Sequence, residues 1–196
     1  MNRLNSICVF CGSSEGNDIK VIDKAQELGE KLVNNHIALV YGAAKIGVMG
    51  KIAEKVLANK GKVIGVIPEF LKLKEVVHLG LTELITTNNM HERKMKMHEL
   101  SDGFITLPGG FGTLEELFEI ITWSQLGLHQ KPIGLLNING FYDHLLQLLE
   151  NMVKRGFLKM ENYELLLVDD TVDGLLGKMK KYRPKQVPKW LKIDRV

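Results

Sequence analysis

Leu107-Pro108-Gly109-Gly110-Phe111-Gly112-Thr113-Leu114-Glu115-Glu116 decides how this chain is read. It follows an apolar run, Gly103-Phe104-Ile105-Thr106-Leu107, that reads as a buried strand. It opens a helical pattern in which Leu114, Leu117, Phe118, Ile121 and Leu126 are expected to share a face. It is therefore a strand-to-helix turn holding three glycines. Glycine accepts φ > 0 and lets a ligand touch the backbone. A helix start adds unpaired N–H groups and the positive end of the macrodipole. Together these make an anion site. A plainer reading stands beside it: Thr113 as N-cap and Glu116 three residues on would form a capping box, and both would merely start a helix. An ordinary cap does not need Gly-Gly-x-Gly before it.

Outward from this turn the chain alternates strands and helices. Upstream, residues 4–10 read as a strand and 18–34 as a helix, with Ile19, Ile22, Ala25, Leu28, Leu32 and Val33 at helical spacing. A strand at 37–40, a helix at 48–59 and a strand at 63–67 follow. Residues 69–81 have no period and are expected to form a loop. A strand at 84–86 and a helix at 90–101 lead back to the glycine turn. Downstream come a strand at 133–136, a helix at 141–155, a strand at 165–168 and a helix at 172–181. Short, continuously apolar strands are buried on both faces, as in a parallel sheet. The expected fold is α/β: a Rossmann-like, doubly wound, mostly parallel sheet with helices on both faces. It is expected to occupy one domain, residues 1–181, followed by a basic tail at 182–196.

Composition narrows the function classes. The 196 residues suffice for one sizeable core, and 45% apolar with 25% charged residues is ordinary for a globular protein. No apolar run reaches the length of a membrane span, and the first residues enter a strand pattern directly, so a cytoplasmic protein off the membrane is expected. Cys8 and Cys11 form C-x-x-C inside a strand, where positions three apart face opposite sides. That suits two buried thiols better than a disulfide, and a zinc site needs four ligands. The net charge of +3 is uneven. Lys180, Lys181, Arg183, Lys185, Lys189, Lys192 and Arg195 stand against Asp194 alone, which leaves the body slightly acidic. A body without a basic face is not read as a nucleic-acid binder.

Four segments directly follow strands and fall on the rim where such sheets bind ligands: Gly12-Ser13-Ser14, Gly42-Ala43-Ala44, Met90 to Lys94, and Gly109 to Glu116. None spells G-x-G-x-x-G or G-x-x-x-x-G-K-[ST], so a dinucleotide oxidoreductase and a nucleoside triphosphatase are disfavoured. Met90, Arg93, Met97 and Leu100 lie on one helical stripe. An arginine on an inward stripe is costly unless its charge is paired, and this one sits in its helix's first turn, at the rim. Arg93 and Glu116 thus meet across a phosphate cradle. That combination suits cleavage of an N-glycosidic bond, where a carboxylate supports an oxocarbenium-like centre or its water and a guanidinium holds phosphate or leaving-group charge.

Pro108 to Glu116 resembles the P-G-G-x-G-T-x-x-E signature of the Lonely Guy family of cytokinin-activating phosphoribohydrolases, long labelled lysine decarboxylases. Met90-His91-Glu92-Arg93-Lys94 is similar to that family's second motif; Val9 to Ser14, Thr122 to Gly127 and Lys131 to Asn137 also fit. The resemblance implies hydrolysis of AMP or an N6-modified AMP to free base and ribose 5-phosphate, with Arg93 and Glu116 catalytic. It implies a phosphate cradle at Gly110, Phe111, Gly112 and Thr113, with Gly12, Ser13, Met90, Gly109, Leu114 and Glu115 around the substrate. Glu75, Lys94 and Thr122 are also expected to line the site. A homodimer with sites near its interface, and no cofactor or metal, are implied as well. One departure is the turn Tyr41-Gly42-Ala43-Ala44, where the family has Tyr-Gly-Gly-Gly or Tyr-Gly-Gly-Ser. Each alanine adds a Cβ and resists φ > 0. A non-catalytic nucleotide or cofactor carrier on the same fold is the alternative reading. A pyridoxal-phosphate lysine decarboxylase would need a Schiff-base lysine in a recognisable setting, and none stands out.

Overall fold

The computed structural model describes residues 3–72 and 77–184. Seven strands form one sheet: β1 (Ser6–Phe10), β2 (Ala38–Tyr41), β3 (Val63–Pro68), β4 (Glu83–Thr87), β5 (Gly103–Thr106), β6 (Ile133–Leu136) and β7 (Leu166–Asp169). Their order is β4-β3-β2-β1-β5-β6-β7, and every neighbouring pair is parallel. The winding reverses between β1 and β5, where Cys8 of β1 is in register with both Val40 of β2 and Phe104 of β5. Chain leaving β1 and β5 diverges there and opens a crevice at the carboxyl ends of the strands.

Helices α1 (Ile19–Asn34), α2 (Gly47–Ala58) and α8 (Val172–Lys181) contribute to one core layer; α4 (Met90–Glu99), α5 (Phe111–Gln125) and α6 (Asp143–Lys154) contribute to the other. Strand periodicity divides the strands between the layers. Ile7, Val9, Leu39 and Ile105 pack with Leu28, Ile52 and Leu176, whereas Cys8, Phe10, Val40 and Phe104 pack with Met97, Leu117 and Leu149. Cys8 and Cys11 are free, buried thiols in opposite layers. Full burial of each large aliphatic side chain contributes about 1.5–3 kcal/mol, so two closed layers, rather than any one helix, hold the sheet.

Several local expectations are corrected. Residues 69–81 are not wholly loop, because Glu69–Lys72 form a short helix, α3. The helix expected from 141 starts at Asp143 after a 3-10 turn at Ile138–Gly140, and Met160–Tyr163 add a short α7. Ile19, read as inward, is 69% exposed because it lies one residue past the N-cap Asp18, outside the packed turns of α1. On α5 the buried positions are Thr113, Leu117, Ile120 and Ser124, and Phe118 turns outward. The helix starts earlier than expected and carries apolar residues on more than one face, so periodicity alone misplaces its inward stripe.

Away from the crevice, the last turn of α4 meets the last turn of α5 through aromatic contacts. His98 stacks on Phe104 at 5.8 Å, meets Trp123 edge-on at 5.4 Å and lies 5.1 Å from His129. His129 bonds the Ile120 carbonyl through Nε2 and accepts from the Lys131 N–H at Nδ1, which fixes it as the neutral Nε2–H form. The Lys131 ammonium donates to the His98 carbonyl at 2.6 Å. The buried His98 Nε2 has no partner among the described residues. Among the described residues, no helix is long and apolar enough to cross a membrane.

Candidate active site

The β1 and β5 turns are stitched together by backbone. The Gly12 N–H donates to the Pro108 carbonyl at 3.1 Å, and the Leu107 N–H donates to Phe10 at 2.9 Å. A Cβ on Gly109 would run into the Thr113 hydroxyl and, at 2.9 Å, the Gly12 nitrogen, so glycine is required for this approach. Gly110 and Gly112 are different: a Cβ on either would meet nothing within 4 Å. The protein's own packing does not demand glycine there, and the bare backbone borders open space.

The start of α5 decides the capping question. The N-cap is Gly110, with no side-chain cap, and the first helical bond runs from the Leu114 N–H to the Gly110 carbonyl at 3.2 Å. Thr113 is already inside the helix, so the Thr113–Glu116 capping box does not exist. The N–H groups of Phe111, Gly112 and Thr113 are left without helical partners. A side-chain cap occurs instead at α4, where the N-cap Asn89 accepts from the Glu92 N–H at 2.9 Å and Glu92 reaches back past the cap to the Asn88 N–H at 2.9 Å. That cap fixes the turn carrying Arg93.

Arg93 is buried and runs under β2 and β3. Its Nε donates to the Val66 carbonyl at 3.2 Å and one terminal nitrogen to the Gly42 carbonyl at 3.4 Å; the other lies 3.9 Å from the Met90 sulfur. Among the described residues no carboxylate lies within ion-pair distance of it. Glu116, half-buried across the crevice, accepts no hydrogen bond from a described residue. Burial pushes its carboxyl up to about 7, against the opposing pull of the Arg93 guanidinium.

These groups line a cavity of about 280 Å³. It collects Gly12, Ser13, Met90, Arg93, Gly110, Phe111, Gly112, Thr113, Glu115 and Glu116 from the expected set. Gly42, Met49 and Met97 join them; Gly42 was legible as a rim residue, whereas nothing in the sequence singled out Met49. Gly109 lines not this cavity but a neighbouring one of about 500 Å³ that reaches Ile138 and Phe141. Besides Gly109, three more expected residues do not line the 280 Å³ cavity. Leu114 packs into the core layer under α5. Lys94 is turned to Glu115 and Glu119, at 2.7 and 2.9 Å. Thr122 is exposed, bonded to the Phe118 carbonyl at 2.7 Å. Glu75 lies outside the described residues, as does most of the basic tail.

The turn after β2 keeps a glycine-like shape despite its alanines. Ala43 takes φ +67°, its carbonyl accepts from the His78 N–H at 3.0 Å, and Ala44 bridges Val77. Alanine resists this conformation, and at Ala43 the bond from His78, with the neighbouring Ala44–Val77 bridge, holds it there. Among the described residues, no group of three or more His, Cys, Asp or Glu is placed to hold a metal ion.

A protein family described as "Possible lysine decarboxylase" matches residues 49–179. The chain is 47% identical to a probable cytokinin riboside 5'-monophosphate phosphoribohydrolase of Oryza sativa subsp. japonica, over 92% of this chain and 81% of that protein. It is 44% identical to a cytokinin riboside 5'-monophosphate phosphoribohydrolase of Arabidopsis thaliana, over 94% of this chain and 86% of that protein. Among solved structures, the Moco carrier protein from Chlamydomonas reinhardtii aligns with a TM-score of 0.68 at 19% identity, covering 91% of this chain and 97% of that one. The molybdenum cofactor binding protein from Rippkaea orientalis aligns with 0.68 at 22%, covering 91% and 97%. At those identities the structural likeness speaks for the fold alone.

Proposed function

Since the chain belongs to the family of the cytokinin riboside 5'-monophosphate phosphoribohydrolases, we propose that its crevice hydrolyses the N-glycosidic bond of AMP or an N6-modified AMP. The products are the free base and ribose 5-phosphate. One observation carries the assignment of the site: a buried guanidinium without a carboxylate partner faces a carboxylate raised to about 7, with bare helix N–H groups between them. A buried cation in this state is costly until a ligand supplies negative charge.

The phosphate sits on the N–H groups of Phe111, Gly112 and Thr113, and Arg93 meets the remaining negative charge. This holds the ribose C1′ beside Glu116. Glu116, ionised, accepts a proton from the attacking water as the water oxygen bonds to C1′. The bond from C1′ to the base nitrogen breaks, its electron pair leaves with the base, and the base takes up a proton from solvent. Loss of one such charged group costs about 10²–10³ in rate. Among the described residues lining the cavity there is no lysine to form a Schiff base, so the geometry favours the glycosidase over the activity in the family's older description.

A second copy of the chain completes this reading. Phe111, 95% exposed, and Phe118, 37% exposed, share with Thr122 an outward stripe of α5 that begins at the cavity mouth. A dimer burying this stripe would bring Thr122 to the partner's cavity. The two buried free thiols suit the reducing cytoplasm.

The test is chromatography of protein incubated with AMP and with N6-isopentenyl-AMP. Base release that disappears in Arg93→Ala and Glu116→Ala is expected. Nucleotide binding without base release would make the protein a carrier instead.

A further inference from the structure

Arg93 and Glu116 must stay apart to admit a nucleotide, and no direct ion pair joins them. Their neighbours in sequence are joined instead. Lys94 follows Arg93 on α4, and Glu115 precedes Glu116 on α5, with Glu119 one turn on. The Lys94 ammonium lies 2.7 Å from Glu115 and 2.9 Å from Glu119. The Lys94 side chain is only 12% exposed and that of Glu119 22%, whereas Glu115 is 55% exposed. The Lys94–Glu119 arm is therefore the less hydrated of the two, where a charge pair is screened least.

We propose that Lys94 and Glu119 form a brace between α4 and α5 that sets the separation of Arg93 and Glu116, with Glu119 as a positioning residue. The proposal rests on the hydrolase reading above. At their other ends the two helices meet through His98 and Trp123, so the brace is the second point that fixes their relative tilt. It also occupies a cation that could otherwise swing to Glu116 and close the crevice with an internal ion pair. A misplacement on the order of 1 Å between reacting groups can cost about a hundredfold in rate, so a brace outside the cavity can matter to turnover.

The experiment compares wild type, Glu119→Gln, Glu119→Asp, Lys94→Met and the Lys94→Met/Glu119→Gln double variant in steady-state base release, with thermal melts. For Glu119→Gln, kcat is expected to fall about tenfold, with KM within about twofold and the melting temperature nearly unchanged. Glu119→Asp should recover part of kcat, and the double variant should be no slower than Lys94→Met. An unchanged kcat in Glu119→Gln, losses that multiply in the double variant, or a kcat loss that tracks a melting loss would overturn the proposal. If wild type releases no base, the hydrolase reading has failed. The brace is then judged without turnover, by carbon NMR titration of the Glu116 carboxyl. Its midpoint should fall further on Glu119→Gln in the wild-type background, where Lys94 is left with Glu115 alone and can move, than in the Lys94→Met background, where only the Glu119 charge is lost; equal falls reject the brace.

Discussion

Arg93 and Gly42 are fitted to one another: a guanidinium nitrogen of Arg93 donates to the Gly42 carbonyl at 3.4 Å, and a Cβ on Gly42 would collide with that same nitrogen. The Met49 sulfur would stand 3.2 Å from the same Cβ. Gly42→Ala is therefore expected to push Arg93 off its two carbonyls. Base release should fall at least about tenfold, and stability by about 1–3 kcal/mol, because the displaced guanidinium leaves both carbonyls unpaired. Assay and urea unfolding of the one variant check both numbers; full activity would show that Arg93 does not need this seat.

Glu116 should weaken the fold that carries it. Its ordinary value is 4.5 and burial raises it to about 7, so between these values the folded protein holds a proton that the unfolded chain has lost. Stability contributed by this group is present below pH 4.5 and is lost as pH rises through 7. Glu116→Gln removes the penalty. Relative to wild type it should gain about 2 kcal/mol at pH 8, discounted for partial exposure, and almost nothing at pH 4, while base release is abolished. Unfolding curves at the two pH values decide it.

The histidine pair predicts acid lability. Burial, with Lys131 and His129 nearby, lowers His98 to about 4; burial likewise lowers His129 to about 4, against the pull of the Ile120 carbonyl. The unfolded chain takes up protons near 6.5 and the folded one near 4, so stability falls with pH across that interval and levels off below it. His98→Phe keeps a ring against Phe104 and removes the unpaired Nε2. It should be more stable than wild type at pH 5 by up to about 3 kcal/mol, and by less at pH 8. Equal differences at the two pH values would assign the effect to packing alone.

Ala43 at φ +67° is held in a conformation that favours glycine. Ala43→Gly relieves the left-handed backbone, worth about 1–2 kcal/mol, at a cost of about 0.5–1 kcal/mol from the freer unfolded chain. A net change within about 1 kcal/mol, with activity kept, is the expected result. A large loss of stability would mean that the buried methyl, not the backbone, matters at this turn.

The sheet was legible because each parallel strand is a short apolar run followed by a helix of clear period, and the crevice because small residues cluster after β1, β2 and β5. Arg93 and Glu116 could be matched because each sits in a motif on its own rim segment. Other features depend on contacts that sequence order does not express. Lys94 reads as a surface lysine until α5 is placed beside α4. Met49 enters the cavity from α2 only because the β1 turn receives its N–H at the Gly12 carbonyl, 3.3 Å away. The true start of α5 was hidden by Thr113 and Glu116, which mimic a cap one turn too late.

The strand order has a consequence for how the molecule comes into being. β1 is made well before β5, so one of its edges waits for that strand, and the Asn5 N–H finds its acceptor in Asp102, 97 residues further along. Until then that edge is an unsatisfied ladder beside exposed apolar side chains. Pairings this distant close slowly, and they leave partly made chains open to association. The junction that opens the crevice is thus the last seam of the sheet's first half to be sewn, and the interval before β5 emerges is when a nascent chain most needs protection.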